Sequence, residues 1–108
     1  MLLDVAAVRA PDANAGVDAF ERTVAQMRPD LPNAGAVGYF TDGSPGGETM
    51  ALAEFNLVQY AIAPAILVNR LDRKFVIANL HGRAAPPRNF VLVRDYGSGI
   101  ELLRNPSQ

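Results

Sequence analysis

The chain has 108 residues, of which 49% are hydrophobic and 19% charged, and it contains one histidine and no cysteine. A folded chain of this length buries about two-thirds of its surface in one core, so we expect a single domain over residues 1–108. The absence of cysteine excludes thiol nucleophiles, disulfides and thiolate metal sites, and with a single histidine a multi-histidine metal centre would need a second chain. We therefore expect no cofactor and no bound metal.

The net charge of −1 argues against a nucleic-acid partner, because proteins that bind phosphate backbones usually carry a basic excess. The charge is unevenly distributed along the chain. Residues 1–64 hold three basic and eight acidic side chains, a net charge of −5, and residues 65–108 hold seven basic and three acidic, a net charge of +4. Either two solvated faces of opposite charge result, or the C-terminal half offers a docking surface or an anion site.

The first third of the chain predicts one helix. Residues 1–8 are apolar apart from Asp4, and they fit either an edge strand or the end of a preceding segment such as a membrane span. In residues 12–28, apolar side chains recur at spacings of three and four and form one stripe, and Pro29 ends the pattern. The members of this stripe are Val17, Phe20, Val24 and Met27.

The middle of the chain predicts a strand, a loop and a second helix. Residues 36–41 (AVGYFT) are rich in strand-forming side chains, and residues 41–47 (TDGSPGG) form a glycine-rich connection. Residues 48–62 form the longest helical stretch, which Pro64 ends. We expect Ser44 to cap this helix, with Pro45 at its first position.

The C-terminal third predicts strands at residues 65–69, 75–80, 90–95 and 100–104, and the segment Tyr96-Gly97-Ser98-Gly99 indicates a hairpin between the last two. The strand, helix and strand of residues 36–69 form a β-α-β unit, which is expected to be parallel and right-handed. The remaining short connections favour antiparallel neighbours. The predicted fold class is therefore α/β, with a small mixed sheet, a C-terminal hairpin and two main helices.

The predicted helix at residues 48–62 is unusually apolar. Its hydrophobic side chains spread well beyond the stripe of about 100° that a surface helix buries. A single small sheet covers only one side of such a helix, so we expect the other side to meet another helix, another subunit or another part of a larger protein. The candidate interface residues are Met50, Phe55, Leu57 and Tyr60.

A small anion- or nucleotide-binding site is the alternative. Backbone N–H groups at a helix N-terminus attract anions, but the 41–47 loop lacks the lysine of a phosphate-binding motif and carries acidic neighbours. Basic side chains in two later loops form one positive patch only if the sheet brings both loops to the same edge. The candidate residues are Ser44, Gly46, Gly47, Arg70, Arg73, Lys74 and Arg83.

No catalytic group emerges from the sequence. His81 needs an orienting carboxylate and a nucleophile to act as a general base, and no serine lies in a nucleophile-elbow motif. The acidic pairs that the spacing suggests, Asp95 with Glu101 and Glu48 with Glu54, do not fit acid–base work. We therefore expect His81 to be a loop or packing residue and the protein not to be an enzyme.

Three short strings together resemble a family pattern. They are Gly38-Tyr39-Phe40-Thr41-Asp42, Gln59-Tyr60-Ala61-Ile62-Ala63-Pro64 and Val93-Arg94-Asp95-Tyr96-Gly97-Ser98-Gly99. In this order and spacing they resemble the soluble domain of bacterial polytopic membrane proteins of unassigned function. The resemblance covers roughly residues 20–104, and it implies a domain that adjoins a membrane region in the cell envelope and has no settled activity.

Composition and resemblance lead to one expectation for function. We expect a non-catalytic soluble interaction module, excised from or attached to a larger bacterial membrane protein. Its expected partners are its own membrane region or further copies of itself, with a small anionic ligand as the alternative.

Overall fold

The computed structural model describes residues 11–31, 35–44, 46–82 and 89–108, with side chains from residue 18 onward. Within these residues the chain forms two α-helices, five strands and a short 3-10 turn at Arg28–Asp30. The elements in chain order are α1 (Pro11–Ala25), β1 (Ala36–Thr41), α2 (Gly47–Ile62), β2 (Ile66–Val68), β3 (Phe75–Asn79), β4 (Val91–Gly97) and β5 (Ile100–Arg104). The predictions for residues 1–8, Val17, Pro45 and Arg83 lie outside the described residues or side chains.

The strands form one mixed sheet in the order β2-β1-β3-β5-β4. Strand β1 is parallel to both of its neighbours, with Gly38 paired to Val68 on one side and to Val76 on the other. Strands β3, β5 and β4 then follow as antiparallel neighbours. The predicted mixed α/β fold and the parallel β-α-β unit are therefore confirmed.

The expectation that β2 and β3 are antiparallel neighbours is wrong. Both strands are parallel to β1 and lie on opposite sides of it, so residues 69–74 must cross β1. The crossing passes over Gly38, where an added Cβ would collide with the backbone carbonyl oxygen of Arg70. A glycine at this one position lets a connection of hairpin length join two parallel strands.

Both helices pack on one face of the sheet. The stripe predicted for α1 is confirmed where its side chains are described, because Val24 and Met27 are fully buried and Phe20 is half-buried against the same core. The helix ends at Ala25, three residues before the predicted end, and the chain continues in tight turns. The core of this face also includes Val37, Tyr39, Val58, Ile62, Ala65, Leu67, Ile77, Ile100 and Leu102.

The opposite face of the sheet has a smaller core of Val76, Ala78 and Leu103. The crossing segment is fixed there by Asn105, whose backbone N–H donates to the Lys74 carbonyl at 2.8 Å and whose side-chain amide donates to the Leu71 carbonyl at 3.0 Å. The segment that links β2 to β3 is thus part of the packed structure.

The C-terminal hairpin turns at Ser98 and Gly99, which have φ values of 57° and 83°. Two consecutive residues with positive φ form the type of two-residue turn that matches the twist of paired strands. A side chain at Gly99 would collide with the carbonyl oxygen of Leu80, so glycine is required there by both space and conformation. The hairpin predicted from the sequence is confirmed.

Candidate functional site

The exposed side of α2 carries almost no charge. Of the ten exposed residues in α2 and its two caps, only Glu48 in the first turn is charged. The exposed side farther along the helix consists of Thr49, Leu52, Ala53, Asn56 and Tyr60. We call these five residues the α2 outer face. Leu52 is 61% exposed and Tyr60 is 82% exposed, although large apolar and aromatic side chains are usually the ones that a fold buries.

The four predicted interface residues do not share this face. Tyr60 lies on it, whereas the Met50 side chain, 45% exposed, packs against Gly46 at the start of the helix. Phe55 is half-buried and its ring meets that of Tyr39 edge-on, with 5.2 Å between the ring centroids. Phe55 therefore packs against the core on the side of α2 that faces the sheet, and its assignment to an interface stays a prediction.

Leu57 and Tyr60 line a shallow hollow between the two helices. Its volume is about 190 Å³, and the other lining residues are Glu21, Val24, Ala25 and Ala61. The hollow opens beside the exposed ring of Tyr60. Leu52 is an exposed residue of α2 that the predicted interface did not include. It was one of many apolar residues around the helix, and only the fold distinguishes those that face the sheet.

On the inner side of α2, the carboxylate of Glu54 belongs to a cluster of polar side chains at the edge of the sheet. Glu54 lies beside His81, with 3.1 Å between its Oε1 and the ring Nε2, and the other ring nitrogen, Nδ1, lies 3.1 Å from Oδ1 of Asp42. The side chains of Asp42, Glu54 and His81 are 2%, 16% and 16% exposed. Asp42 also accepts a hydrogen bond from the backbone N–H of His81 at 2.9 Å.

Asn79 joins this cluster to the core. Its side-chain amide donates to the hydroxyl of Tyr39 at 2.9 Å and to Oε1 of Glu54 at 3.1 Å, so both amide hydrogens have acceptors. Burial raises the pKa of the Tyr39 hydroxyl, which keeps it neutral. We call Tyr39, Asp42, Glu54, Asn79 and His81 the His81 cluster.

The topology explains why these residues meet. Asp42 directly follows β1, and Asn79 and His81 lie at the end of β3. Because the two strands are parallel neighbours, their carboxyl ends lie at the same edge of the sheet, and α2 starts from that edge as well. The fold therefore gives His81 the orienting carboxylate that a general base needs, but no nucleophilic hydroxyl among its described hydrogen bonds. The sequence signal for this contact was that Asp42 and His81 each follow a strand within two residues and that the two strands are parallel neighbours.

The polar groups of the His81 cluster form hydrogen bonds with one another. Two carboxylates hold the two ring nitrogens, and both nitrogens can donate at once only when the ring carries both protons. Among the residues that the structure describes, the ring makes its hydrogen bonds to carboxylates and none to a hydroxyl. Within the described residues, no group of three or more acidic or histidine side chains is arranged to hold a metal ion.

The candidate anion-binding residues divide into two groups. Ser44, Gly46 and Gly47 lie at the carboxyl end of β1, where the buried Ser44 hydroxyl accepts a hydrogen bond from the N–H of Gly46 at 3.2 Å. The helix starts at Gly47 with Gly46 at the cap, so Ser44 shapes the turn before the helix and the expectation that it caps α2 is wrong.

The basic residues of the second group precede β3, at the opposite end of that strand from the 41–47 loop. Arg70 forms a bidentate ion pair with Asp72, in which Nε donates to Oδ1 at 3.0 Å and Nη2 donates to Oδ2 at 2.6 Å. The Nε of Arg73 lies 3.7 Å from Oδ1 of the same carboxylate. The hydrogen bond from Arg70 lowers the pKa of Asp72. Lys74 extends over the Phe75 ring at 5.8 Å. The structure does not bring the two groups together into one anion site.

A second polar contact links the helical layer to the sheet. The Tyr96 hydroxyl on β4 donates to Asp30 at 2.6 Å, and Arg94 lies 3.4 Å from the same carboxylate. Burial and the neighbouring Asp30 carboxylate raise the pKa of Tyr96 well above its usual value. This contact positions the 3-10 turn after α1.

Comparisons with protein-family models, curated proteins and solved structures give no significant match to this chain. Within the described residues, no helix has both the length and the hydropathy that a membrane crossing requires. The resemblance of the three sequence strings to a membrane-protein domain therefore stays a prediction.

Proposed function

We propose that this chain is a non-catalytic interaction module that binds another protein surface through the α2 outer face. One observation carries the proposal: a helix of 16 residues directs its carboxylate Glu54 inward and exposes Leu52 and Tyr60 on a face without charge. A helix that only separates a core from water shows the reverse distribution.

The composition of the face supports protein binding. Aromatic side chains such as Tyr60 are enriched at the centres of protein interfaces, and charged side chains are depleted there. The hollow beside Tyr60 offers a concave apolar surface next to a protruding one. The resemblance to a domain that adjoins a membrane region is consistent with this proposal, since such a domain rests against other parts of its assembly.

The His81 cluster supports a structural role in place of catalysis. A general base needs a ring nitrogen that is free to take a proton from a substrate, and both nitrogens of His81 face protein carboxylates. We propose that the cluster holds α2 against the sheet edge and thereby fixes the orientation of the outer face.

The test places a photo-activated crosslinking amino acid at position 60 in the full gene product expressed in its native host. A matched variant carries the same amino acid at position 107, an exposed position in the C-terminal tail. We expect position 60 to form one discrete crosslinked species containing this chain and a second polypeptide, and position 107 to form none. Equal crosslinking from both positions, or none from either, would contradict the proposal.

A further inference from the structure

We infer that Gln59 holds one edge of the sheet closed. Its side-chain amide occupies the backbone groups of β2 that a further strand would need, and this contact prevents the sheet from pairing with that of a second copy of the chain. The inference goes beyond the proposed function and does not rest on it. It follows from the place of β2 in the sheet, from two hydrogen bonds of the Gln59 amide and from the composition of the strand.

Strand β2 lies at one edge of the sheet. Within the described residues it pairs with β1 alone, and the N–H of Ile66 donates to the Gly35 carbonyl at 2.8 Å on that side. The backbone groups of successive residues in a strand point to alternate sides, so the Ala65 carbonyl and the Leu67 N–H point away from β1. Groups that point outward from an edge strand are the ones with which a further strand pairs.

The side-chain amide of Gln59 bonds to both of these groups. Its Nε2 donates to the Ala65 carbonyl at 2.9 Å, and its Oε1 accepts from the Leu67 N–H at 2.7 Å. In a parallel pair of strands, one residue makes the same two bonds: it donates to the carbonyl before the residue that it faces and accepts from the N–H after it. The Gln59 amide therefore takes the place of one residue of a parallel strand opposite Ile66.

The composition of β2 makes an open edge prone to pairing. Residues 65–68 have the sequence Ala-Ile-Leu-Val, which contains no charge and three strong strand formers, and Ile66 is exposed. Uncharged segments of high strand propensity pair with copies of themselves when their edge is free. In the purified chain, the expected occupant of an opened β2 edge is therefore the same segment of a second copy.

The other edge of the sheet is protected in a different way. Strand β4 pairs with β5 through two register shifts, and its exposed centre carries the charges of Arg94 and Asp95. Bulges and charges are common features that keep an edge strand from pairing further. Strand β2 is uncharged and pairs with β1 in regular register. Apart from the short length of β2, the contact from α2 is the feature that closes this edge.

Hydrogen exchange of the unmodified chain at low micromolar concentration tests the contact directly. The Leu67 N–H points away from β1, and we expect it to exchange roughly tenfold or more slowly than its intrinsic rate because Gln59 accepts its hydrogen bond. Exchange at the intrinsic rate would overturn the inference. The measurement needs no substitution, so its result does not depend on the folding of any variant.

Gln59→Met removes the amide and keeps the length of the side chain. In dilute solution we expect the Leu67 N–H to exchange roughly tenfold faster than in the parent, whereas the rate for the Ile66 N–H, which bonds to Gly35 within the sheet, changes less than about threefold. Equal acceleration at both positions would mean that β2 as a whole has loosened, and it would contradict a specific role for Gln59 at the edge.

The same variant tests whether the opened edge pairs. In sedimentation velocity up to millimolar concentration, we expect Gln59→Met to self-associate about tenfold or more tightly than the parent, with a gain of intermolecular β-sheet absorbance in the infrared. A variant that sediments like the parent at every concentration would show that the edge stays closed without the amide.

Two lysine substitutions in the Gln59→Met background locate the contact. Ile66→Lys places a charge on the β2 edge, and Leu52→Lys places the same charge on the α2 outer face, each in place of an exposed apolar side chain. We expect Ile66→Lys to return self-association to within about threefold of the parent and Leu52→Lys to leave it unchanged. Suppression by both lysines, or by Leu52→Lys alone, would overturn the inference. Neither result would bear on the crosslinking at position 60 that tests the proposed function.

Discussion

The two sides of α2 have opposite character, and each is unusual for its environment. The inner side holds Glu54 in the His81 cluster, where three ionisable side chains are mostly buried. The outer side leaves Leu52 and Tyr60 exposed and has no charge. Solvation alone therefore does not set the polarity of this helix. Its carboxylate Glu54 contacts His81 at the sheet edge, and Leu52 and Tyr60 are exposed on the other side.

The largest expected effect is on the inner side. His81→Ala leaves the Asp42 and Glu54 carboxylates facing each other across the space of the imidazole, although Asp42 keeps the backbone N–H of residue 81. The variant removes the ring hydrogen bonds of two mostly buried carboxylates, so we expect a loss of about 3 kcal/mol in the free energy of unfolding. Urea denaturation at pH 7 measures it, and a loss below about 1 kcal/mol would show that the cluster does not fix α2.

Tyr39→Phe makes a smaller change in the same cluster. The variant keeps the edge-on contact with Phe55 and removes the hydroxyl that accepts a hydrogen bond from Asn79 at 2.9 Å. The amide of Asn79 still donates to Glu54, so we expect a loss of about 1 kcal/mol, typical of one intramolecular hydrogen bond. If Tyr39→Phe equals or exceeds His81→Ala, the hydroxyl and not the charges is the main contribution of the cluster.

Glu101 is a partly buried carboxylate outside the His81 cluster, and its cross-strand neighbour, Asp95, is another acid. Burial first, and Asp95 second, raise the pKa of Glu101 in the folded chain. The folded state therefore keeps this proton at pH values where the unfolded chain has lost it, and stability falls as the pH rises through that window.

Glu101→Gln removes this dependence. We expect the variant to be more stable than the parent at pH 7 by less than about 1 kcal/mol, and the difference to vanish below the ordinary pKa of glutamate, about 4.3, as both states become protonated. Thermal unfolding between pH 3 and pH 7 measures it. A difference that grows on acidification has the opposite sign and would contradict the assigned environment of Glu101.

The smallest expected effect is on the outer side. Leu52→Ser removes an exposed side chain that contributes little to the core, so in dilute solution we expect the free energy of unfolding to change by no more than about 0.5 kcal/mol. The matched core variant Val58→Ser, four residues before the buried Ile62 on the inner side, is expected to lose about 2 kcal/mol or more. Similar losses from both variants would show that Leu52 is packed within its own chain.

The local elements could be predicted from the sequence because their signals are short-range. The stripe of α1, the strand at residues 36–41 and the turn at Ser98 and Gly99 follow from spacing and from residues that tolerate positive φ. The apolar character of α2 also indicated an incompletely covered helix. Which of its apolar residues are exposed depends on the angle at which the sheet meets it, so spacing alone did not separate the half-buried Phe55 from the exposed Leu52.

The His81 cluster could not be predicted because it depends on strand order. A connection of hairpin length after residue 68 normally joins antiparallel neighbours, and that reading separates Asp42 from His81. Only the close crossing at Gly38 permits the parallel alternative. The glycine was visible in the sequence, but its role depends on the contact with Arg70, which lies 32 positions away in the chain. The cluster is a consequence of that long-range contact.

Site-specific crosslinking in the native host, extended from position 60 to position 52, decides the role of the α2 outer face, with position 107 in the exposed tail as the reference. We predict that positions 52 and 60 both crosslink to a second polypeptide and that position 107 does not. Equal crosslinking from all three positions, or none from positions 52 and 60, would contradict the proposed docking role of this face.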